Sequence, residues 1–237
     1  MLHRHQRGIN LTYLRYFAAN DKTTIGPDVQ HCVSAALSES TDIDGPYHPQ
    51  NDFLVCNATT GGAIDPSFFR DDDGKAYVVY KSDVSARTQP GDVRLELREV
   101  ANSGNNEGLA WVGNTVDLLV QNSQGHDDGF TIEAPYIIKR GDVYFLTYST
   151  HFWGDSTYDV QYAYASSVKG PYTRVATPLL KTGDFAECVN LTGPGGASFQ
   201  SRDENKMVFH GLTGQVQGTR GLFEATFIVN GDTLSFS

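Results

Sequence analysis

Two acidic residues stand just before a proline inside segments that read as strands. Asp65 lies in Ala63-Ile64-Asp65-Pro66-Ser67-Phe68-Phe69, and Glu133 in Ile132-Glu133-Ala134-Pro135-Tyr136-Ile137-Ile138. Two carboxyl groups carried by separate strands to one concave site can do acid/base work. A carboxyl group in a partly dry site with a second acid nearby has a raised pKa, as a proton donor requires. Cleavage of a glycosidic bond uses a carboxyl pair in this way, one member protonating the departing oxygen. Each acid also has a plainer reading: Asp65 capping a turn, Glu133 bonding backbone at a strand start. Their shared place in a repeated pattern favours the chemical one.

The repeat supplies the elements that must position them. A third segment, Gly196-Ala197-Ser198-Phe199-Gln200, has the same shape. Each of the three is followed by a polar turn and a second strand rich in β-branched and aromatic residues: Lys75 to Tyr80, Val143 to Tyr148 and Lys206 to His210. Strand, turn and strand predict a β-hairpin. Aligning the three places Asp65, Glu133 and Gly196 in one slot, at the start of the innermost strand. Their starts lie roughly 65 residues apart. Gly45-Pro46-Tyr47 and Gly170-Pro171-Tyr172 lie about two such periods apart. A period of that size, holding four strands, predicts a β-propeller blade, against the alternative of a β-sandwich with coincidental hairpins. Composition agrees: 24 glycines, 11 % aromatic and 19 % charged residues argue against a helical bundle.

Leu11 to Tyr16 resembles Lys75 to Tyr80, and counting back about twelve residues, as in a hairpin repeat, puts its inner partner near Met1. The chain is therefore expected to start inside a blade. Leu222 to Val229, the turn Asn230-Gly231-Asp232 and Thr233 to Phe236 predict a last hairpin. No linker divides the chain, so residues 1–237 read as a single all-β propeller domain.

Charge and cysteines narrow the partners. The net charge is −10, which repels phosphate backbones and argues against nucleic acid. No run approaches the ~18 apolar residues of a membrane span, and no signal peptide is visible at the start. Asn10-Leu11-Thr12, Asn57-Ala58-Thr59 and Asn190-Leu191-Thr192 are glycosylation acceptor sequences and point to an extracellular protein. In an oxidising compartment Cys32 and Cys56 are the expected pair, leaving Cys188 free or paired outside the chain; in a reducing one all three are small buried apolar residues. No metal or cofactor is expected. Asp71-Asp72-Asp73-Gly74 lacks the alternation of a calcium loop, Gly193 to Gly196 lacks the Lys-Ser/Thr of a phosphate loop, and no Gly-x-Ser-x-Gly occurs.

The sequence resembles glycoside hydrolase family 43, and most of all its fungal secreted members. The resemblance is carried by Gly62-Ala63-Ile64-Asp65-Pro66-Ser67-Phe68, Ile132-Glu133-Ala134-Pro135, the two Gly-Pro-Tyr segments, Gly193-Pro194-Gly195-Gly196-Ala197, Val208-Phe209-His210-Gly211 and Arg220-Gly221-Leu222-Phe223. It implies a five-bladed propeller and hydrolysis, with inversion, of arabinose- or xylose-containing polysaccharides such as arabinan and arabinoxylan. Glu133 matches the general acid, and Asp65 the third acid, which tunes the donor's pKa and holds its orientation. The family's water-activating aspartate lies on the inner strand of a first blade, which this chain is expected to lack together with the first strand of the next. Such a truncated chain loses one of two proton transfers, each worth ~10²–10⁴-fold. The competing readings are a non-catalytic carbohydrate-binding propeller and a protein-binding scaffold.

Other candidates surround the expected mouth. His151-Phe152-Trp153 follows the strand Val143 to Thr150 and offers a wall for sugar stacking, although Trp153 could instead pack between blades. His210 ends a hairpin strand, with a core histidine as the alternative. Arg220 resembles the family arginine that reaches sugar and acids, with a surface ion pair as the alternative. His126-Asp127-Asp128 reads as a loop rather than a ligand set. The expected partner is an oligosaccharide or polysaccharide bound by a monomer.

Overall fold

The structure is a computed structural model. It describes residues 2–7, 10–21, 30–56, 61–82, 93–104, 107–186, 189–200, 205–214 and 218–236, with side chains from Thr12 onward. Cys188 lies outside the described residues, as do Asn57 and residues 201–204, where a hairpin turn is expected.

The described chain is all β apart from one short 3-10 turn at Ser123–Gly125. It divides into two compact units, Met1–Asp117 and Leu118–Ser237. The first unit opens with β1 (Leu2–Arg7), β2 (Asn10–Asn20), β3 (His31–Ser38) and β4 (Tyr47–Pro49), paired in that order as one antiparallel sheet. Next come β5 (Ala63–Arg70), β6 (Ala76–Ser82), β7 (Arg94–Val100) and β8 (Trp111–Val120), again in order. The second unit repeats the plan. It holds β9 (Ile132–Arg140), β10 (Val143–Thr150), β11 (Asp159–Ala165) and β12 (Thr173–Arg174), a two-stranded hairpin β13 (Phe185–Ala186) and β14 (Val189–Asn190), and then β15 (Gly195–Phe199), β16 (Lys206–Leu212), β17 (Arg220–Asn230) and β18 (Thr233–Phe236).

Four sheets of four sequential antiparallel strands are blades of the kind the repeat predicts. The expected hairpins all form, each within two residues of its sequence-read limits except β2, which runs on to Asn20. One expectation is corrected. The first sheet does not lack its inner strand: β1 pairs with β2 from Leu2 opposite Arg15 to Arg7 opposite Asn10. Its sequence, Leu-His-Arg-His-Gln-Arg, lacks the apolar alternation by which strands are recognised.

Each unit has its own apolar core. Leu14, Tyr16, Val33, Ala35, Val78, Tyr80 and Val100 fill the first. Ile138, Phe145, Val160, Tyr162, Phe199, Phe209 and Phe227 are among those that fill the second. The disulfide Cys32–Cys56 ties the segment after β4 to β3. Backbone bonds between Val33 and Val55 reinforce the join. Both Gly-Pro-Tyr segments carry a cis proline and end in a tyrosine whose hydroxyl donates four residues back, from Tyr47 to the Ile43 carbonyl and from Tyr172 to that of Val168.

The inner strands share a further device. Between the pairs Ile64–Lys81 and Ser67–Val79, β5 advances three residues while β6 advances two. The same one-residue excess falls between Glu133–Ser149 and Tyr136–Thr147, and between Gly195–His210 and Ser198–Val208. Each is a β-bulge, and the residue that turns into it has positive φ: Asp65 at 55°, Ala134 at 50° and Gly196 at 62°. Opposite each bulge sits a buried ring, Tyr80, Tyr148 or Phe209.

The bulge corrects the expected slot by one residue. Asp65 is equivalent to Ala134 and Gly196, whereas Glu133 is equivalent to Ile64 and Gly195. The two prolines mark the reason. The bulge sits at the residue before Pro66 and before Pro135, so it keeps its distance from the proline and not from the acid.

Candidate active site

Glu133 lies in β9 one residue before its bulge, opposite Ser149 of β10. The Tyr158 hydroxyl, from the residue just before β11, donates to Glu133 Oε1 at 2.8 Å. The Tyr158 ring stacks parallel to the imidazole of His210, with centroids 6.2 Å apart and 8° between planes. The Arg220 guanidinium lies over the Tyr158 ring, 5.1 Å from its centroid. Its Nε donates to His210 Nδ1 at 2.5 Å, and its remaining N–H groups reach the carbonyls of Trp153, Gly193 and His210. Four side chains from β9, β11's approach, β16 and β17 thus form one hydrogen-bonded and stacked group.

Its electrostatics follow from that packing. Burial, and then the charge of Arg220, push the His210 pKa down to about 4, with Glu133 opposing. With Nδ1 accepting from Arg220, the neutral ring carries its proton on Nε2. Burial also lowers the Arg220 pKa, with Tyr158 and Glu133 opposing. The group therefore sets a carboxyl beside a cation and a neutral imidazole.

Glycines make room for it. A Cβ on Gly195 would meet the Tyr158 ring at 1.8 Å, and one on Gly196 would meet His210 Nε2 at 2.3 Å. The glycine run is thus the surface on which both rings lie. The Gly196 N–H donates to Ser149 Oγ at 2.9 Å and ties β15 to the strand facing Glu133.

The loop after β10 lies beside this group. His151 takes φ of 70°, its Nδ1 meets Thr150 Oγ1 at 2.8 Å, and its N–H donates to the Asp128 carbonyl. It packs against Gly129. Trp153 is 49 % exposed and Phe152 42 %, so Trp153 is not packed away in the core. Phe152 meets Phe130 edge-on with centroids 6.0 Å apart, and Trp153 at 5.5 Å, forming an exposed aromatic cluster. Beneath the loop, Asp128 and Arg174 form an ion pair with side chains 1 % and 0 % exposed, and Arg174 Nε also donates to the Tyr148 hydroxyl at 2.9 Å. Asp159, accepting from Thr150 and from Gln161, has its pKa raised by burial.

Asp65 belongs to the first unit. It sits at the bulge of β5, half-buried. Gly62 fixes the start of that strand: it bridges His31 in parallel, and a Cβ there would meet the His31 carbonyl at 2.2 Å. Facing the bulge is Tyr80, whose pKa burial pushes up to about 12. Among the described residues Asp21, Cys32 and Cys56 cluster as metal ligands would, but the two sulfurs are bonded to each other.

Of the sequence-read candidates, the second unit brings Glu133, His210 and Arg220 together, with Trp153 joined through its carbonyl. Tyr158, Phe130 and the Asp128–Arg174 pair were not singled out from sequence. The paired glycines at 195 and 196 were the signal that a ring lies on that strand.

A family model described as Glycosyl hydrolases family 43 matches residues 7–230. The "Beta-D-galactofuranosidase xynD" of Aspergillus niger is 28 % identical over 174 residues, which cover 73 % of this chain and 43 % of the relative. The chain thus spans under half the length of that curated relative. The crystal structure of a thermostable family-43 glycoside hydrolase superposes with a TM-score of 0.76 at 20 % identity, covering 99 % of this chain and 73 % of that one. The alpha-L-arabinofuranosidase of Lactobacillus brevis superposes with a TM-score of 0.69 at 19 % identity, covering 99 % and 74 %. At these identities the structural likeness shows the fold, an all-β propeller.

Proposed function

Because the chain belongs to glycosyl hydrolases family 43, we propose that it cleaves O-glycosyl bonds of arabinose- or xylose-containing plant polysaccharides, with Glu133 as the general acid. The observation that carries this reading is the hydrogen bond from Tyr158 to Glu133, within a group that also holds His210 and Arg220. The Tyr158 hydroxyl holds the carboxyl in one orientation, Arg220 lies over the Tyr158 ring, and His210, kept neutral, offers an N–H to a sugar hydroxyl. Asp65 takes the role of the acid that tunes the donor. In an inverting mechanism a further carboxylate activates water from the opposite face of the sugar. The family resemblance places that base on the inner strand of another blade, and none of the acids described above is given that role. Residues 1–237 act in this reading as one domain of a monomeric, extracellular enzyme.

The substrate class draws support from relatives named for galactofuranose and arabinofuranose. Both sugars present a five-membered ring, so furanosides are the substrates to test first. The assay is release of nitrophenol from arabinofuranosyl, galactofuranosyl and xylosyl glycosides, by this chain and by one extended upstream. Activity in the extended chain that falls by ~10²–10⁴-fold in Glu133→Gln supports the reading. Full activity in Glu133→Gln overturns it.

A second reading, a non-catalytic carbohydrate-binding propeller, is favoured by the exposed cluster of Phe130, Phe152 and Trp153. It predicts oligosaccharide binding without turnover in both chains.

A further inference from the structure

We propose that Asn190 is an N-glycosylation site whose first sugar ring stacks on Phe185. Three observations meet at the β13–β14 hairpin. Asn190-Leu191-Thr192 is an acceptor sequence, and Asn190 is exposed. Phe185 is the direct antiparallel partner of Asn190. Directly opposed residues point to the same face of a hairpin with Cβ atoms about 4.5–5.5 Å apart. Phe185 is 62 % exposed, which leaves the ring without the cover that large apolar side chains normally find. A sugar on Asn190 Nδ2 would present its apolar C–H face to that ring.

The hairpin is firm enough to hold the pair. Leu191 is buried, its N–H donates to the Asp184 carbonyl at 2.7 Å, and its carbonyl accepts from Gly183 at 3.0 Å. The next residue, Thr192, accepts from the Leu212 N–H at 2.8 Å. The Cys32–Cys56 disulfide belongs to an oxidising compartment, and the secretory pathway where such bonds form is also where Asn-linked glycans are added. The co-reactant is a lipid-pyrophosphate-linked oligosaccharide. Its anomeric C–O bond breaks, a C–N bond forms to Asn190 Nδ2, one amide proton is lost, and the lipid pyrophosphate leaves.

The test is secretion of the full chain from yeast behind a leader peptide, followed by peptide mass mapping before and after amidase release of glycans. The Asn190 peptide is expected to carry glycan in the wild type and in Thr192→Ser, and to be bare in Thr192→Ala. A bare Asn190 in the secreted wild type overturns the site. Thermal unfolding tests the stacking. Trimming the glycan should lower Tm by about 2–4 °C in the wild type and in Phe185→Tyr. In Phe185→Ala it should change Tm little. An equal loss in all three chains overturns the contact with Phe185.

Discussion

The bulges at Asp65 and at Ala134 are one backbone device used in two ways. Both precede a proline, both turn through positive φ, and both face a buried tyrosine. In the first unit the acid occupies the turning residue itself. In the second it stands one residue earlier, in regular strand, and alanine takes the turn. A left-handed residue with a side chain costs roughly 1–2 kcal/mol, and such strain gathers at functional sites. The difference shows that this fold fixes where the chain bends and leaves open which neighbouring position carries an acid. It also separates supports. Glu133 accepts from Tyr158, outside its strand, whereas Asp65 takes the turn itself, just after a strand start that Gly62 anchors to His31.

Mutations break or sharpen that contrast. The largest expected effect is on turnover: Glu133→Gln should lower kcat of the extended chain by ~10²–10⁴-fold without lowering Tm, read by nitrophenol release and calorimetry. Asp128→Ala should cost about 3–5 kcal/mol by leaving Arg174 buried without its partner, measured by denaturant unfolding. Gly196→Ala tests the third bulge. Its Cβ would press on His210 at positive φ, and a loss of about 1–3 kcal/mol is expected. Ala134→Gly should act in the opposite sense. It relieves the turn at φ of 50° and should raise stability by about 0.5–1 kcal/mol, where a loss would show that the alanine methyl is needed.

A pH dependence gives a further test. The folded pKa of His210, about 4, lies below its usual 6.5. Between those values the unfolded chain binds more protons, so stability falls as pH drops from 6.5 toward 4. His210→Gln should flatten that part of the profile, and an unchanged slope would mean that other groups produce it.

What the sequence disclosed depended on local pattern. The hairpins were legible because alternation and turn residues recur within a dozen positions, and the Gly-Pro-Tyr segments because they repeat as strings. β1 was hidden by its polar composition and is defined by its pairing with β2. The off-by-one slot arose because a bulge adds a residue without changing residue types, so an alignment on the acids looks as good as one on the prolines. Tyr158 was invisible because its partner is 25 residues away and their meeting depends on how β9, β10 and β11 stack in register. The same holds for Asp128 and Arg174, which are 46 residues apart. Glu133, His210 and Arg220 could be named in advance, but the ring that joins them could not.

A surplus residue in an inner strand also reverses the in-and-out alternation for everything beyond it. Ile64 and Ser67, or Glu133 and Tyr136, are therefore neighbours in pairing although an odd number of steps separates them. Anyone swapping these strands between homologues should count positions outward from the proline. Aligning Asp65 with Glu133 instead would shift every residue of the strand by one position and turn each to the wrong side of the sheet.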